Sequence, residues 1–201
     1  KTTDTTEIST ETVSQIILPV KKDYGIFFTP DWTVDFMIGL IDDDKIFKKK
    51  ITVLEPACGM TQFLTGIKRN KPALYKKAKK IGVEINKDIY DNIKQSEAEI
   101  FNADYLLWQT DQRYDIIVGN PPYGIPSLSE HYTIRVNDET KNIYKQNFST
   151  WYGKYNVYGA FIEKSIQLLK ENGQLIFITP ATFIFLDEFK KLRDFLARNG
   201  D

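Results

Sequence analysis

The sequence is poor in the residues that build disulfides, metal sites and membrane spans. Its 201 residues include one cysteine and one histidine, so a disulfide within the chain is excluded. No stretch approaches the roughly 18 uncharged apolar residues of a membrane span. His131 lies alone in a polar segment, which is typical of a solvated surface residue. We therefore expect a cytoplasmic protein with no metal site.

The chain also lacks an excess of either charge. It has 27 basic and 27 acidic residues and a formal net charge of zero, so no general positive field points to nucleic acid. Composition thus argues neither for nor against a DNA partner. With 42% hydrophobic residues, the length suits one ordinary domain with a sizeable core.

Two kinds of apolar run alternate along the chain. Strand-like runs occupy residues 51–54, 81–85, 100–102, 114–118 and 174–178, and helix-like runs occupy 31–41, 60–70, 86–96, 157–170 and a segment around Phe189, Leu192 and Leu196. The alternation predicts an α/β fold, with Asn172-Gly173 ending the helix over 157–170. We expect a loosely ordered arm over residues 1–22 and one domain over 23–201. We expect residues 124–154 to form a long polar connection, and a loop of that length inside a compact domain is usually functional or mobile.

The sharpest motif is a buried strand that ends in Asn120-Pro121-Pro122-Tyr123. The prolines fix φ angles and remove backbone donors, so the carbonyls and the Asn120 amide can project as fixed acceptors. An aromatic amine needs such acceptors because its lone pair is delocalised into the ring. Hydrogen bonds from both N–H groups would aim that lone pair at a methyl donor, and Tyr123 offers a face on which an extruded base can stack. These four residues are the candidate catalytic residues; the alternative is an ordinary proline turn.

Further motifs lie at the ends of the three earlier strands. Residues 53–59 run from a strand into a tight turn at Gly59, where α/β sheets hold nucleoside-like cofactors. Glu84 follows 25 residues later, close to the roughly 20 expected of an acid that binds ribose hydroxyls. Asp104 could accept a hydrogen bond from an adenine amine, with Tyr105 packed beside the ring. Each motif alone is weak, since Glu84 could be a solvated helix-start acid, but together they indicate a cofactor with a nucleoside.

In combination, these motifs resemble the gamma class of N6-adenine DNA methyltransferases, and most closely the TaqI type. The likeness covers roughly residues 24–200. It runs through Phe28-Thr29-Pro30, Glu55, Glu84, Asp104, Asn120-Pro121-Pro122-Tyr123, Phe148-Ser149-Thr150-Trp151, Gly153-Lys154-Tyr155-Asn156, Tyr158-Gly159-Ala160-Phe161 and Pro180-Ala181-Thr182. The resemblance implies a Rossmann-like S-adenosylmethionine-dependent methyltransferase fold, with a mostly parallel sheet and helices on both faces. It also implies methyl transfer to adenine N6 on a flipped base, by direct in-line displacement.

The resemblance further assigns roles to individual residues. The implied donor-binding residues are Thr29 for the methionine part, Glu55 for its amino group, Ala57 and Gly59 for close backbone approach, Glu84 for the ribose, and Ile85, Asp104 and Tyr105 for the adenine ring. The target adenine would be held by Asn120, Pro121 and Tyr123, with Phe27 lining the same pocket.

The chain departs from the family pattern in two places. Many members carry another glycine two positions after Gly59, where this chain has Thr61, so we expect a less open turn. In the family, a later strand supplies a second aromatic against the flipped base, and a target-recognition domain follows. Neither is present before Asp201, so we expect a truncated catalytic domain. Its partners would be double-stranded DNA, contacted through the missing domain, and subunits of a restriction-modification system.

Other interpretations of these residues stay open. Cys58 lies outside the Asn120 turn, which argues against a cytosine C5 methyltransferase, and is expected to pack as a small buried residue. Related methyltransferases use a similar turn on a protein glutamine or an RNA guanine, and a non-catalytic subunit that binds DNA or a partner is a further alternative. A set of basic residues suits either phosphate contacts or an ordinary solvated loop. These are Arg135, Lys141, Lys145 and Lys154.

Overall fold

A five-stranded parallel sheet forms the centre of the molecule. The computed structural model describes residues 28–42, 50–126, 134 and 136–200. The strands are β1 (Ile51–Pro56), β2 (Ala78–Glu84), β3 (Glu99–Asn102), β4 (Tyr114–Gly119) and β5 (Leu169–Phe177). They lie in the order β3-β2-β1-β4-β5 and pair in parallel throughout. The predicted α/β architecture is confirmed. The arm over residues 1–22, Phe27, His131 and Arg135 lie outside the described residues.

Helices connect the strands and cover the sheet. They are α1 (Asp31–Gly39), α2 (Gln62–Asn70), α3 (Pro72–Lys77), α4 (Lys87–Ile93), α5 (Asp138–Asn147), α6 (Val157–Leu168) and α7 (Lys190–Asn199), with 3-10 turns at Ala181–Ile184 and Asp187–Phe189. After β3 the chain returns to the other side of β1 to form β4. The topological switch point therefore lies between β1 and β4, and open α/β sheets bind their ligands at such a point. No helix in the described ranges is long and apolar enough to cross a membrane.

The central strands are buried on both faces, because side chains alternate along a strand. Val53 of β1 and Ile116 of β4 pack with helices α1 and α2 in one cluster. Their neighbours Leu54 and Ile117 belong to a second cluster on the opposite face, with α6 and α7. Gly66 lets α1 and α2 approach closely, since a Cβ atom there would lie 2.4 Å from a Val34 methyl carbon.

The segment predicted as a polar connection contains a helix. Over residues 138–147 the chain forms α5, whose N-terminus is capped by Asn137: the Oδ1 atom accepts from the Thr140 N–H at 2.7 Å. Asp138 and Glu139 occupy its first turn, as the helix dipole favours. Only Tyr144 of α5 is buried, so the helix carries no apolar stripe. The prediction of a connection without structure was therefore wrong there.

The predicted end of the helix over 157–170 was also wrong. Helix α6 ends at Leu168, and Asn172-Gly173 lies inside the segment assigned to β5. The register of β5 shifts between the pairs Tyr114↔Leu169 and Ile116↔Gln174, so the intervening residues loop out. Asn172 adopts a φ of 58°, which asparagine tolerates better than most residues. The dipeptide thus shapes a kink in the edge strand rather than a helix end.

Candidate functional site

A cavity opens at the carboxyl ends of the strands, around the switch point between β1 and β4. We call it the strand-end cavity. Among its lining residues are Thr29, Glu55, Ala57, Gly59, Glu84, Ile85, Asp104, Tyr105, Asn120, Pro121 and Pro122. The fold therefore brings together nearly all the residues that the sequence singled out. Tyr123 is the exception among those that the structure describes: it is not part of the lining, and its ring packs against Tyr158.

The turn between β1 and α2 is built from left-handed backbone conformations. Ala57, Gly59 and Thr61 have φ values of 50°, 50° and 58°. The Cys58 N–H donates to the Val83 carbonyl at 2.9 Å, which ties the turn to β2. Cys58 itself is buried, as expected of a small packing residue, and burial raises the pKa of its thiol well above the ordinary value. The turn contributes Ala57, Cys58 and Gly59 to the lining of the cavity.

Glu55 joins this turn to the start of α2. Its carboxylate accepts from the Phe63 N–H at 3.1 Å and from the Leu64 N–H at 3.0 Å. These two groups belong to the first turn of α2, whose N–H groups have no partner within the helix. Burial raises the pKa of Glu55 to about 8. The site therefore holds an acidic group that binding of a cation would ionise.

Glu84 ends β2 and closes the turn from the other side. One carboxylate oxygen accepts from the Gly59 N–H at 2.9 Å, and the other from the Asn86 N–H at 2.8 Å. Burial raises the pKa of Glu84, while those backbone N–H groups oppose the rise. A carboxylate has about four acceptor positions, so this fixed group can still accept from a hydroxyl group in the cavity.

Asp104 and its neighbours form the third wall. The carboxylate accepts from the Leu106 N–H at 2.9 Å and from the Tyr144 hydroxyl at 2.5 Å. Tyr105 is buried, and its hydroxyl shares a hydrogen bond of 2.9 Å with Ser165 Oγ. Ile85 is 45% exposed although it is a large apolar side chain, and it lines the cavity. An apolar surface and an acceptor therefore stand where the sequence predicted an adenine ring.

The Asn120 side chain is held by hydrogen bonds at both ends. Its Nδ2 donates to Thr29 Oγ1 at 3.0 Å, and its Oδ1 accepts from the Tyr123 hydroxyl. Thr29 is in turn fixed by Gln62, which accepts from its N–H at 3.1 Å and donates to its carbonyl at 3.0 Å. These hydrogen bonds fix which end of the side-chain amide is the oxygen and which is the nitrogen. The amide oxygen therefore has a defined direction at the cavity wall.

Tyr123 points its hydroxyl back toward the sheet. The hydroxyl has one proton to donate, and two acceptors share it: Asn120 Oδ1 and, at 2.6 Å, the carbonyl of Ile178 just beyond β5. Its ring meets that of Tyr158 edge-on, with centroids 6.2 Å apart. Burial raises the pKa of Tyr123 to about 12, so the hydroxyl remains a donor at neutral pH. In this arrangement Tyr123 orients the amide, and its role as a stacking surface stays a prediction.

Asn156 anchors the far end of the turn and was not predicted as a site residue. Its Oδ1 accepts from the Gly124 N–H at 2.9 Å, and the next residue, Val157, donates its N–H to the Gly124 carbonyl at 2.9 Å. Gly124 has a φ of 144°, a conformation open chiefly to glycine. The start of α6 thus fixes where residues 120–123 stand.

The predicted phosphate-binding lysines lie on the surface of this region. Lys145 and Lys154 are exposed and Lys141 is partly buried, so their part in DNA binding stays a prediction. Within the described residues, no group of three or more His, Cys, Asp or Glu side chains could hold a metal ion.

The parallel sheet with its switch point, the tight turn after β1 and the acids at the ends of β2 and β3 define an S-adenosylmethionine-dependent methyltransferase fold. Within that class, the chain belongs to the Eco57I restriction-modification methylase family, whose model matches residues 15–201. The resemblance seen in the sequence is thereby confirmed at the level of the family. The family uses S-adenosylmethionine, as the resemblance implied.

Curated relatives match most of this chain but are longer. Over 179 residues it is 45% identical to the type II methyltransferase M.TthHB8I of Thermus thermophilus, covering 89% of this chain and 40% of that protein. Over 197 residues it is 30% identical to the modification methylase CviBIII of Paramecium bursaria Chlorella virus NC1A, covering 93% of this chain and 46% of that protein. The chain thus spans less than half the length of these relatives.

Solved structures share the fold at low sequence identity. A class I S-adenosylmethionine-dependent methyltransferase from Listeria monocytogenes superposes with a TM-score of 0.63 at 20% identity, over 97% of this chain and 61% of that one. A type I restriction-modification methyltransferase subunit from Streptococcus thermophilus gives 0.66 at 19% identity, over 94% of this chain and 41% of that one. These likenesses establish the architecture.

Proposed function

We propose that this chain is the catalytic part of a DNA methyltransferase that transfers a methyl group from S-adenosylmethionine to the N6 amine of adenine. The observation that carries the proposal is that the Asn120-Pro121-Pro122 turn lines the same cavity as Glu55, Glu84 and Asp104. The family supports DNA as the substrate, in preference to a protein glutamine or an RNA guanine. Relatives named type II methyltransferases support the same choice.

The cavity lining fits the proposed donor part by part. The buried Glu55 carboxylate suits an ammonium group, and Glu84 can still accept from a ribose hydroxyl. Ile85 offers an apolar surface for a purine ring, and Asp104 an acceptor for its amine. When bound, S-adenosylmethionine supplies an electrophilic sulfonium methyl group for direct in-line displacement by the substrate amine.

The remaining chemistry falls to the residues of the turn. The Asn120 amide oxygen has two acceptor positions, of which the Tyr123 hydroxyl takes one. The other position, together with the Pro121 carbonyl, would accept from the two N–H groups of a flipped adenine and aim its lone pair. Fixing these acceptors in advance lowers the barrier through orientation and electrostatics. The substrate amine is itself the nucleophile, so the chain needs none, and the proton that the amine loses passes to solvent.

Separate measurements of donor binding and methyl transfer test this assignment. Asn120→Ala in the full-length protein should lower the transfer rate roughly a hundredfold, the size typical of removing one preorganised hydrogen-bonding group, with little change in the donor dissociation constant. Glu84→Ala should instead weaken donor binding roughly ten- to a hundredfold through lost charged hydrogen bonds.

Glu171→Ala is the control, because Glu171 is an exposed acid near the amino end of β5, away from the cavity. It should change neither quantity. If Asn120→Ala weakened only donor binding, the catalytic role of the turn would be wrong.

A further inference from the structure

A residue of helix α5, which lies outside the sequence motifs, holds the Asp104 carboxylate in place. Tyr144 of α5 donates its hydroxyl to one carboxylate oxygen at 2.5 Å, and the Leu106 N–H donates to the other at 2.9 Å. Both oxygens therefore receive a donor of defined direction. Tyr144 is 3% exposed, so water does not compete freely for the bond.

The position of Tyr144 is itself well fixed. Its ring packs against that of Trp151, with centroids 6.1 Å apart, and it lines the strand-end cavity beside Asp104. Burial and the neighbouring carboxylate raise the pKa of the Tyr144 hydroxyl far above its ordinary value. The group thus stays protonated and keeps the proton that it donates to Asp104.

The backbone of the same loop is held by a different residue. Lys164 of α6 donates to the Leu106 carbonyl at 3.1 Å and to the Trp108 carbonyl at 2.6 Å. Lys164 therefore positions the loop that follows β3, whereas Tyr144 contacts the Asp104 side chain. This division lets a change at Tyr144 alter the direction of the carboxylate while the loop remains anchored.

We infer that Tyr144 is a positioning residue that makes the donor site selective for a purine bearing an amine at position 6. A carboxylate whose two oxygens already accept from fixed donors has acceptor positions left. It can accept a hydrogen bond from an exocyclic amine. It cannot form one with a 6-oxo group, because both groups are then acceptors. Discrimination of this kind is large only when the site's polar group is fixed in place. The inference rests on the proposed function, since it takes S-adenosylmethionine as the donor.

The test compares two donor analogues on the full-length protein. S-adenosylhomocysteine carries the 6-amine, and its deaminated counterpart, S-inosylhomocysteine, carries a 6-oxo group. Dissociation constants measured by calorimetry should show that the wild-type protein prefers the amine form. Tyr144→Phe should reduce this preference roughly tenfold, the effect of one hydrogen bond to a charged group. Most of the change should fall on S-adenosylhomocysteine, with S-inosylhomocysteine little affected.

Tyr155→Phe provides the control for deleting a buried hydroxyl. The Tyr155 hydroxyl is hydrogen-bonded to Thr150 Oγ1 at 2.6 Å, and it does not line the strand-end cavity. This variant should leave the preference between the analogues unchanged, and thermal unfolding should show that both variants fold.

Equal weakening of both analogues by Tyr144→Phe, or no weakening of either, would overturn the inference, because a merely structural role predicts those results. A wild-type protein that binds the two analogues equally well would also overturn the inference, because Asp104 would then not distinguish a 6-amine from a 6-oxo group. A wild-type protein that binds neither analogue would instead refute the proposed donor site, so the two failures are distinguishable.

Discussion

At the scale of single residues, burial sets the charge of the acids in the strand-end cavity. Glu55 is 2% exposed and Glu84 is 3% exposed. For both, desolvation raises the pKa more than the neighbouring N–H groups lower it, and for Glu55 the value reaches about 8. An ammonium group near Glu55 stabilises the ionised form. Binding of a cationic donor is therefore expected to release a proton at neutral pH.

This argument predicts a pH dependence of donor affinity. Below pH 8 most of Glu55 is protonated before binding, and the proton must leave, so affinity should rise with pH by up to about tenfold per unit. Above about pH 8 the rise should level off. Calorimetry with S-adenosylhomocysteine between pH 6 and pH 8.5 measures this directly.

Glu55→Gln serves as the reference for that experiment. It removes the titrating group but keeps Glu84, whose pKa is also raised. The rise contributed by Glu55 should be absent in this variant, and overall affinity should be lower. A wild-type protein whose affinity is flat over this range would show that Glu55 does not face the ammonium group.

Local sequence patterns marked several of the residues that the fold brings to the strand-end cavity. Glu84 and Asp104 follow strands directly, and parallel strands end at one edge of the sheet. Gln62 contacts Thr29, 33 residues away, and Asn156 contacts Gly124, 32 residues away. No spacing along the chain announces such contacts, because they exist only after the helices pack. Tyr144 was not predicted as a site residue for the same reason.

At the scale of elements, the turn from β1 into α2 carries an unusual backbone. Thr61 precedes α2 with a φ of 58°, and its side chain makes no capping hydrogen bond there. A left-handed conformation costs an ordinary residue roughly 1–2 kcal/mol, and β-branched residues adopt it rarely. Many members of the family that the sequence resembles carry glycine at this position. The departure noted in the sequence therefore has a structural cost.

Thr61→Gly should stabilise the folded chain. Relief of the left-handed conformation outweighs the greater freedom of glycine in the unfolded state, which costs about 0.4–1 kcal/mol. The expected gain in unfolding free energy is about 0.5–1 kcal/mol, measured by urea denaturation. Thr65→Gly, at an exposed position within α2, should instead destabilise by roughly a few tenths of a kcal/mol, because glycine is a poorer helix former than threonine. A loss for Thr61→Gly as large as that for Thr65→Gly would contradict the argument.

The elements that the sequence predicted are those with an apolar signature. Strands β1 and β4 are buried on both faces and so read as continuous apolar runs. Helix α5 buries one residue and has a polar surface, so its sequence shows no hydrophobic periodicity that would predict a helix. Its start signal, Asn137 followed by Asp138 and Glu139, was nevertheless present. Capping chemistry, rather than hydrophobic spacing, was the available clue.

At the scale of the whole molecule, the site depends on assembly of the complete sheet. The residues that line the cavity are spread along the chain from Phe28 to Phe161, and they come from both sides of the switch point. The formal net charge is zero, so DNA attraction must rest on local contacts. The chain spans less than half the length of these longer relatives.

The most direct test of the central proposal identifies the methylated base. The full-length protein is incubated with double-stranded DNA and methyl-labelled S-adenosylmethionine, and the DNA is digested to nucleosides for mass spectrometry. Parallel reactions contain RNA or protein, and one contains the Asn120→Ala variant. We predict label in N6-methyladenine, reduced roughly a hundredfold in the variant. Label in cytosine, in RNA guanine or in a protein glutamine, or equal labelling by the variant, would contradict the proposal.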